Sequence, residues 1–522
     1  MSARLLHPDE YELGSRSSLD SEGTFNLDDD DFEAQAPPFS RLGTRQRGWL
    51  PWIFSSVPGF RRLKTNTRPI LASASRLSCS PRFVPRRRCC YLHVIFGVFL
   101  GLVFLTSIFF PSYTRPPPHY VSLRKSMLDE SYPGRGNPHN QTVFIAASLY
   151  DRDGDLAGGQ WGDQLLQLIE LLGNDNVFVS IYENDSGAEG EKALRELEKR
   201  IPCEKSVVFE DHLDFKSLPA VTVPGGDKRV KRIEYLAQVR NRALQPLDDH
   251  PEIQYDKLLY LNDILYDPVD AIHLLFSTNH VDGVSQYRAA CSVDFDNPFK
   301  FYDTYATRDL HGYSMGLPFF PWFSTAGGGE SRKDVLQGKD AVRVRSCWGG
   351  MVAFDAKYFQ HSQGDTANPS PVRFRSGPDL FWEASECCLI HADIQDPQTK
   401  VDEIKDTGIY MNPYVRVAYK RRTLNWLGTT RRIEKLYSVI QKIGNTLVGL
   451  PWHNPRRAVG PGENVQETVW VPDNTHDGKG SFQKLDRVAG NDGYCGRRGL
   501  QVVVEDRQPG QKGWENIPVP PM

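Results

Sequence analysis

KLLYLNDILYDPVDAIHLLF, residues 257–276, carries the alternation on which the fold turns. Lys257–Leu261 is a short apolar run of the kind that forms a strand buried on both faces. Asn262-Asp263 ends it in a polar pair, and Asp267-Pro268 then opens an apolar stretch that runs to Phe276. An acid before proline marks a helix start: the carboxylate caps free N–H groups, and proline at the first position has none to satisfy. The same grammar extends upstream. Val143–Ser148 (VFIAAS), Val177–Tyr182 (VFVSIY) and Ser206–Glu210 predict strands, while Gln164–Leu172, Glu189–Arg200 and a long segment from Lys228 to Leu247 predict the helices between them. Buried strands separated by helices imply βαβ units. The expected fold is therefore α/β, with a mainly parallel, Rossmann-like sheet flanked by helices.

In such sheets ligands bind beyond the carboxyl ends of the strands. The first strand runs into Tyr150-Asp151-Arg152-Asp153, the second into Glu183-Asn184-Asp185, and the strand Lys257–Leu261 into Asn262-Asp263. A carboxylate at a strand tip suits Mg²⁺ or Mn²⁺, hard ions that take oxygen ligands and share them with substrate phosphates. It serves equally well as a helix cap. Asp267, directly before Pro268, fits the cap; for Asp263 both readings stand. On the long helix, Ile233, Leu236, Ala237 and Leu244 share one face, with Arg240 in the middle of it and Asn241 on its flank. A guanidinium on an apolar stripe needs an anion, which a ligand diphosphate or a core carboxylate supplies equally.

Further acids and aromatics follow. Trp348-Gly349-Gly350 offers a flat indole and two residues that let the chain pass close to a ligand, although a glycine-rich turn beside a core aromatic reads the same way. Glu383 and Glu386 are spaced to share a helix face, and His391 ends the next apolar run, two residues before Asp393. Asp294-Phe295-Asp296 is a literal Asp-x-Asp, and Asp303 and Asp309 lie beyond it.

Outside this body, Tyr91–Phe110 contains no Lys, Arg, Asp or Glu. Its length matches the roughly 20 helical residues that cross a bilayer. Five arginines (Arg76, Arg82, Arg86, Arg87, Arg88) lie in the twenty residues before it and three basic residues (Arg115, Arg124, Lys125) in the twenty after it. The bias predicts a signal anchor with a cytoplasmic N-terminus and a lumenal body. Sequons at Asn140 and Asn184 lie on that lumenal side. Residues 1–90 predict a disordered cytoplasmic tail, with Cys89 and Cys90 as palmitoylation candidates, and 111–139 a Pro-rich stalk. Residues 140–427 predict the globular body, and 428–522 a loosely ordered extension. The net charge of −3 and the lack of a long basic stripe argue against a nucleic-acid binder. Six cysteines follow the span (Cys203, Cys291, Cys347, Cys387, Cys388, Cys495), where disulfides are permitted but no pairing is dictated.

Seven stretches in order carry a resemblance: 143–166 (VFIAASLYDRDGDLAGGQWGDQLL), 177–186, 232–244 (RIEYLAQVRNRAL), 258–275, 289–312, 344–359 (VRSCWGGMVAFDAKYF) and 374–394. Over roughly 140–425 the chain resembles the fungal capsule-associated mannosyltransferases, the cryptococcal α-1,3-mannosyltransferase group of glycosyltransferase family 69. The resemblance implies a type II Golgi enzyme with a GT-A-like fold, GDP-mannose as donor, Mn²⁺ or Mg²⁺, and α-1,3 transfer to a mannoside with retention. It also implies that Asp263 binds the metal, with His391 completing the shell and Asp294 and Asp296 as rival ligands. Arg240, Asn241 and Asn262 would hold the donor phosphates or sugar, Glu183 the nucleoside, and Trp348, Gly349 and Gly350 the donor–acceptor junction. Glu383 or Glu386 would stabilise the oxocarbenium-like transition state or orient the acceptor. Asn262 stands where Asp-x-Asp has an acid. That departure keeps open a non-catalytic assembly or export factor for surface polysaccharide, or a transferase for another nucleotide sugar.

Overall fold

The computed structural model describes residues 86–129, 131–361, 370–397, 403–473, 480–505 and 512–522, with side chains from residue 93 onward. The expected cytoplasmic tail lies outside the described residues up to residue 85, as do the side chains of Cys89 and Cys90. The chain divides into two compact units, one of residues 24–101 and one that includes 102–522. Helix α1 (Arg86–Phe109) begins in the first. Among the described residues, no helix is long and apolar enough to cross a membrane. From Val94 to Phe110 the large apolar side chains described are nonetheless mostly exposed.

In the second unit, a mixed sheet is built from β1 (Val143–Leu149), β2 (Val177–Asn184), β3 (Glu204–Glu210), β4 (Lys257–Leu261), β5 (Ala289–Asn297), β6 (Lys300–Phe301), β7 (Arg308–Asp309), β8 (Val342–Ser346), β9 (Met351–Asp355) and β10 (Ile409–Ala418). Their order is β7-β8-β10-β5-β9-β4-β1-β2-β3, with β6 paired to β5. The central sheet is mainly parallel, as expected: β3-β2-β1-β4 run one way, and β10 runs parallel to β5. The antiparallel pairings of β9 with β4 and β5, of β8 with β7 and β10, and of β6 with β5 make the sheet mixed.

The helices are α2 (Pro118–Asp129), α3 (Gln160–Leu172), α4 (Gly187–Arg200), α5 (Arg232–Arg242), α6 (Gln245–Asp249), α7 (Pro268–Phe276), α8 (Glu330–Leu336), α9 (Glu386–Ile394), α10 (Arg421–Thr430) and α11 (Tyr437–Val448). They explain why β1 and β4 are mostly apolar on both faces. Phe144 and Ala146 of β1 face a core shared with α5 and α9, while Val143, Ile145 and Ala147 face one shared with α3 and α7. As expected, the Asp267 carboxylate caps α7 by accepting from Val269 N at 2.9 Å.

Three expectations change. The long helix from Lys228 to Leu247 is broken: Lys228–Val230 pairs with Ala220–Thr222, α5 ends at Arg242, and Pro246 sits in the first turn of a separate α6. Proline has no N–H to continue a helix and disfavours helical backbone in the residue before it. The supposed stalk contains α2, whose Tyr120 and Met127 are buried; Tyr120 Oη accepts from Asn412 Nδ2 at 2.7 Å. The C-terminal extension is folded onto the body. Asn464–Pro472 and Gly480–Val488 form a hairpin, Cys388 and Cys495 are disulfide-bonded, and Lys231 bridges to Val502.

Candidate active site

The parallel registers align Leu149 with Glu183 and Ala147 with Leu261, and Met351 at the start of β9 pairs with Leu261. The ends of β1, β2 and β4 and the Trp348-Gly349-Gly350 turn therefore meet at one edge of the sheet. A cleft there is lined by Ser148, Tyr150, Leu236, Val239, Arg240, Asn262 and Asp263. Its free volume is about 10 Å³, about that of one water.

Arg240 organises this edge. Its Nε donates to Glu386 Oε1 at 3.0 Å and its Nη1 to Asn262 Oδ1 at 3.1 Å. The guanidinium lies over the Trp348 ring, 4.5 Å from its centroid. Both readings of Arg240 thus meet in one side chain: it is ion-paired to a core carboxylate and it lines the cleft. Glu386 is wholly buried at the start of α9, where the Ser385 hydroxyl caps by accepting from Cys387 N at 3.2 Å. Its Oε2 makes no hydrogen bond among the described residues.

Asn262 is committed to the framework. Its N–H donates to Gly350 O and its carbonyl accepts from Trp161 Nε1, both at 2.9 Å, while its Oδ1 also receives Trp348 Nε1 at 3.3 Å. Four hydrogen bonds fix the residue that precedes half-buried Asp263. Trp161 is the positioning residue that sequence reasoning missed. Its signal was an indole within the 143–166 motif, at the start of a helix whose other apolar residues predict core.

Several predicted donor or metal residues stand elsewhere. Asn241 spends its amide on the backbone of Phe374, donating to its carbonyl at 2.8 Å and accepting from its N–H at 2.9 Å. Trp348 is buried beneath Arg240, so its indole is floor and not a sugar platform. Gly349 is required by close packing: a Cβ there would fall 2.0 Å from Ser292 O, and at Gly350 2.7 Å from Ile264. Glu383 does not line the cleft. Its Oε1 accepts from Gln501 N at 2.8 Å, and Lys231, Arg232 and Arg497 face it, while burial pushes its pKa up.

His391 turns its nitrogens to Cys387 O, 2.7 Å from Nδ1, and to Cys291 Sγ, 3.9 Å from Nε2, so neither points to Asp263. Burial pushes this imidazole down to about 4 and keeps it neutral. Its sulfur neighbours Cys291 and Cys347 are joined in a disulfide and offer no thiolate. Asp294 is buried and accepts from Asp303 N at 3.1 Å and Tyr419 Oη at 3.0 Å. Burial, and then the adjoining Asp303 carboxylate, pushes its pKa up. Asp303 in turn accepts from Gly349 N at 3.2 Å, so these acids brace the turn under the cleft. Asp296 pairs with Lys420 at 3.2 Å.

Glu183 and Asp151 close the β1–β2 end. Asp151 accepts from Leu156 N and Ala157 N at 3.0 and 2.9 Å. Glu183 is 0% exposed, and neither oxygen makes a hydrogen bond of ordinary geometry among the described residues. Burial pushes it up to about 7, with the Ser186 hydroxyl opposing and the Asp151 carboxylate adding. The folded state therefore holds this proton more tightly than the unfolded chain. The stability it contributes is present below about 4.5 and lost as pH rises through about 7. Glu183→Gln is expected to remove this loss, flattening the fall in unfolding free energy between about pH 5 and 8 by on the order of 3 kcal/mol. Urea titrations at both pH values check it; an unchanged slope would place the titration elsewhere. Asn184 is also buried, and its amide donates to Tyr235 Oη at 2.9 Å, so the folded chain has no room for a glycan there. Asn140 is exposed.

A cation and a carboxylate converging beyond parallel strand ends suit an anionic ligand. A family model matches residues 142–393, which contain every residue of this cleft, and the chain is a glycosyltransferase. The matched family is described as Cryptococcal mannosyltransferase 1, and the match spans 252 of the 522 residues. None of the curated proteins matches the chain. Among solved structures it is similar to the mannosyltransferase PcManGT from Pyrobaculum calidifontis in complex with GDP-Man and Mn²⁺, at 12% identity over 70% of this chain and 76% of that one. The TM-score is 0.31, so no residue role is carried over from it.

Proposed function

We propose that the protein transfers mannose from GDP-mannose, in α-1,3 linkage and with retention, to a mannoside acceptor, using a GT-A-like site. The observation that carries this reading is the convergence of Arg240, Asn262 and Asp263 on one cleft beside the tip of β4. Arg240 supplies positive charge for the donor diphosphate, and Glu386 holds the guanidinium in place. Trp161, Gly350 and Trp348 fix Asn262 and with it the start of the Asp263 backbone. Among the described residues, Asp263 is the one carboxylate lining the cleft, and a hard divalent ion needs only one or two when phosphates supply the rest. Asp263 would hold Mn²⁺ or Mg²⁺, which supplies Lewis-acid stabilisation of the departing diphosphate. The cleft is too small for a nucleotide sugar as it stands, so half-buried Tyr150 or its neighbours move on binding.

The reading also places the body in the Golgi lumen behind a type II anchor at Tyr91–Phe110. The disulfides Cys291–Cys347 and Cys388–Cys495 support an oxidising compartment. Radiolabelled GDP-mannose, offered with mannose disaccharides and Mn²⁺ to the purified chain, is expected to give α-1,3 product. Asp263→Ala is expected to lower that rate by about 10²-fold or more. Transfer indifferent to Asp263→Ala and to chelation would sink the metal assignment. Transfer from a different nucleotide sugar would replace the donor, and none from any would favour an assembly factor.

A further inference from the structure

Helix α11 is inside out. Its buried face is polar. Gln441 Nε2 donates to the carbonyls of Leu317 and Trp322 at 3.1 and 3.2 Å, and its Oε1 accepts from Arg332. Asn445 Oδ1 accepts from Leu317 N at 2.7 Å. Its outer face is apolar. Ile440, Ile443 and Leu447, spaced to share one side, are 71%, 57% and 80% exposed, with exposed Val439 and Val448 beside them. Scattered exposed leucines need no explanation, but a contiguous stripe does. The amides hold the helix in this orientation, because rolling it over would bury the stripe and strip both side chains of their partners. Exposed Trp452 follows four residues after Val448.

Charge and position say what covers the stripe. Between residues 420 and 454 the only acid is Glu434, and it is consumed by buried Arg416 at 2.7 Å. Arg421, Arg422, Arg432 and Lys442 are exposed in the same segment. The segment is also tied to the place where the apolar helix α1 ends. Ser112 N donates to Arg431 O at 2.9 Å, and Arg431 Nη1 donates to Tyr113 O at 3.3 Å. Phe109 and Phe110, just before that junction, are exposed.

The geometry points to α11 as a lipid-surface helix: its Ile440–Ile443–Leu447 face enters the interface of a bilayer, and the flanking basic residues meet its phosphate headgroups. Apolar residues on one side with cations around them are the pattern of helices that lie about 5–10 Å into the headgroup–acyl boundary. The placement rests on the anchor proposed above, since the end of α1 brings the segment to the membrane. Docked this way, α11 fixes the height and tilt of the body over the bilayer, which a single anchor leaves free.

The test uses the full chain reconstituted in phosphatidylcholine–phosphatidylserine vesicles. An environment-sensitive fluorescent amino acid is placed at position 447, at 104 in α1, or at 216 on the exposed surface of the body. Spin-labelled lipid with its nitroxide near the headgroup is expected to quench the probe at 447 by about two-fold or more and to leave that at 216 untouched. Ile443→Glu is expected to return quenching at 447 toward the value at 216. Quenching at 104 without quenching at 447 overturns the lipid-surface helix while keeping the anchor. Quenching at 447 without quenching at 104 keeps the helix and overturns the anchor. A probe at 447 that is shielded from water but not quenched by lipid overturns the inference in favour of a protein partner.

Discussion

Replacing Arg240 with methionine is expected to destabilise the protein by about 3–5 kcal/mol and to abolish transfer. The cost arises from what remains. Glu386 is wholly buried, and one of its oxygens already lacks a hydrogen bond among the described residues; without Arg240 the other loses its guanidinium partner. Asn262 loses a donor but keeps Trp348 and Trp161, so the β4 tip retains most of its bracing. Glu386→Gln alone leaves the converse problem, a buried cation with a weaker partner. The double variant Arg240→Met/Glu386→Gln removes both charges together, and its destabilisation is expected to fall short of the sum of the singles by about 1–3 kcal/mol. Denaturant titrations of the four proteins measure that coupling. Strict additivity would show that the 3.0 Å contact carries no energy in solution. The second readout is transfer, and here the double variant is not expected to recover. Recovered stability without recovered activity separates the structural role of Arg240 from its role toward the donor.

How much of this was legible depended on whether the deciding partner lay close in sequence. The strands β1, β2 and β4 are mostly apolar runs, and each was readable because burial on both faces leaves few polar positions. The cap at Asp267 needed only Pro268 beside it. Arg240 was legible as a problem: a guanidinium on the face of Leu236 and Ala237 had to meet an anion, but Glu386 lies 146 residues away and nothing local named it. Trp348-Gly349-Gly350 misled in an instructive way. The glycines are needed, but the close approach they permit is to Ser292 and Ile264. The errors at the two ends share a cause. Pro116–Pro118 made the following segment look extended, although Tyr120 and Met127 stand at helical spacing and are buried. The extension beyond Pro451 is rich in glycine and proline, and its order comes from distant anchors. Arg456 and Arg487 meet Asp379 at 2.6 and 2.8 Å, and Gln501 takes Glu383 and Arg232.

That dependence on distant anchors makes Cys388–Cys495 the second large lever. The bond spans 107 residues and joins α9, two residues after Glu386, to the extension. Removing a crosslink across a loop of this length is expected to cost about 2–5 kcal/mol, mostly by freeing the unfolded chain. Cys388→Ser/Cys495→Ser is the informative variant, because replacing Cys495 alone would leave two thiols side by side, at Cys387 and Cys388. The loss is expected to be local first. Tyr494, whose carbonyl holds Arg308 Nε at 3.1 Å and whose hydroxyl receives Gln395 Nε2 at 2.8 Å, and the Gln501–Glu383 contact would open before the β4 tip does. Limited proteolysis should then cut within about residues 489–505 at a concentration that leaves the parent intact, with the thermal midpoint lowered by several degrees. Activity should fall in parallel, because Glu383 and Glu386 flank the start of α9 and the extension holds that turn from one side. A variant with the parent's proteolytic pattern and midpoint would mean that the ion pairs to Asp379 suffice to fasten the extension without the bond.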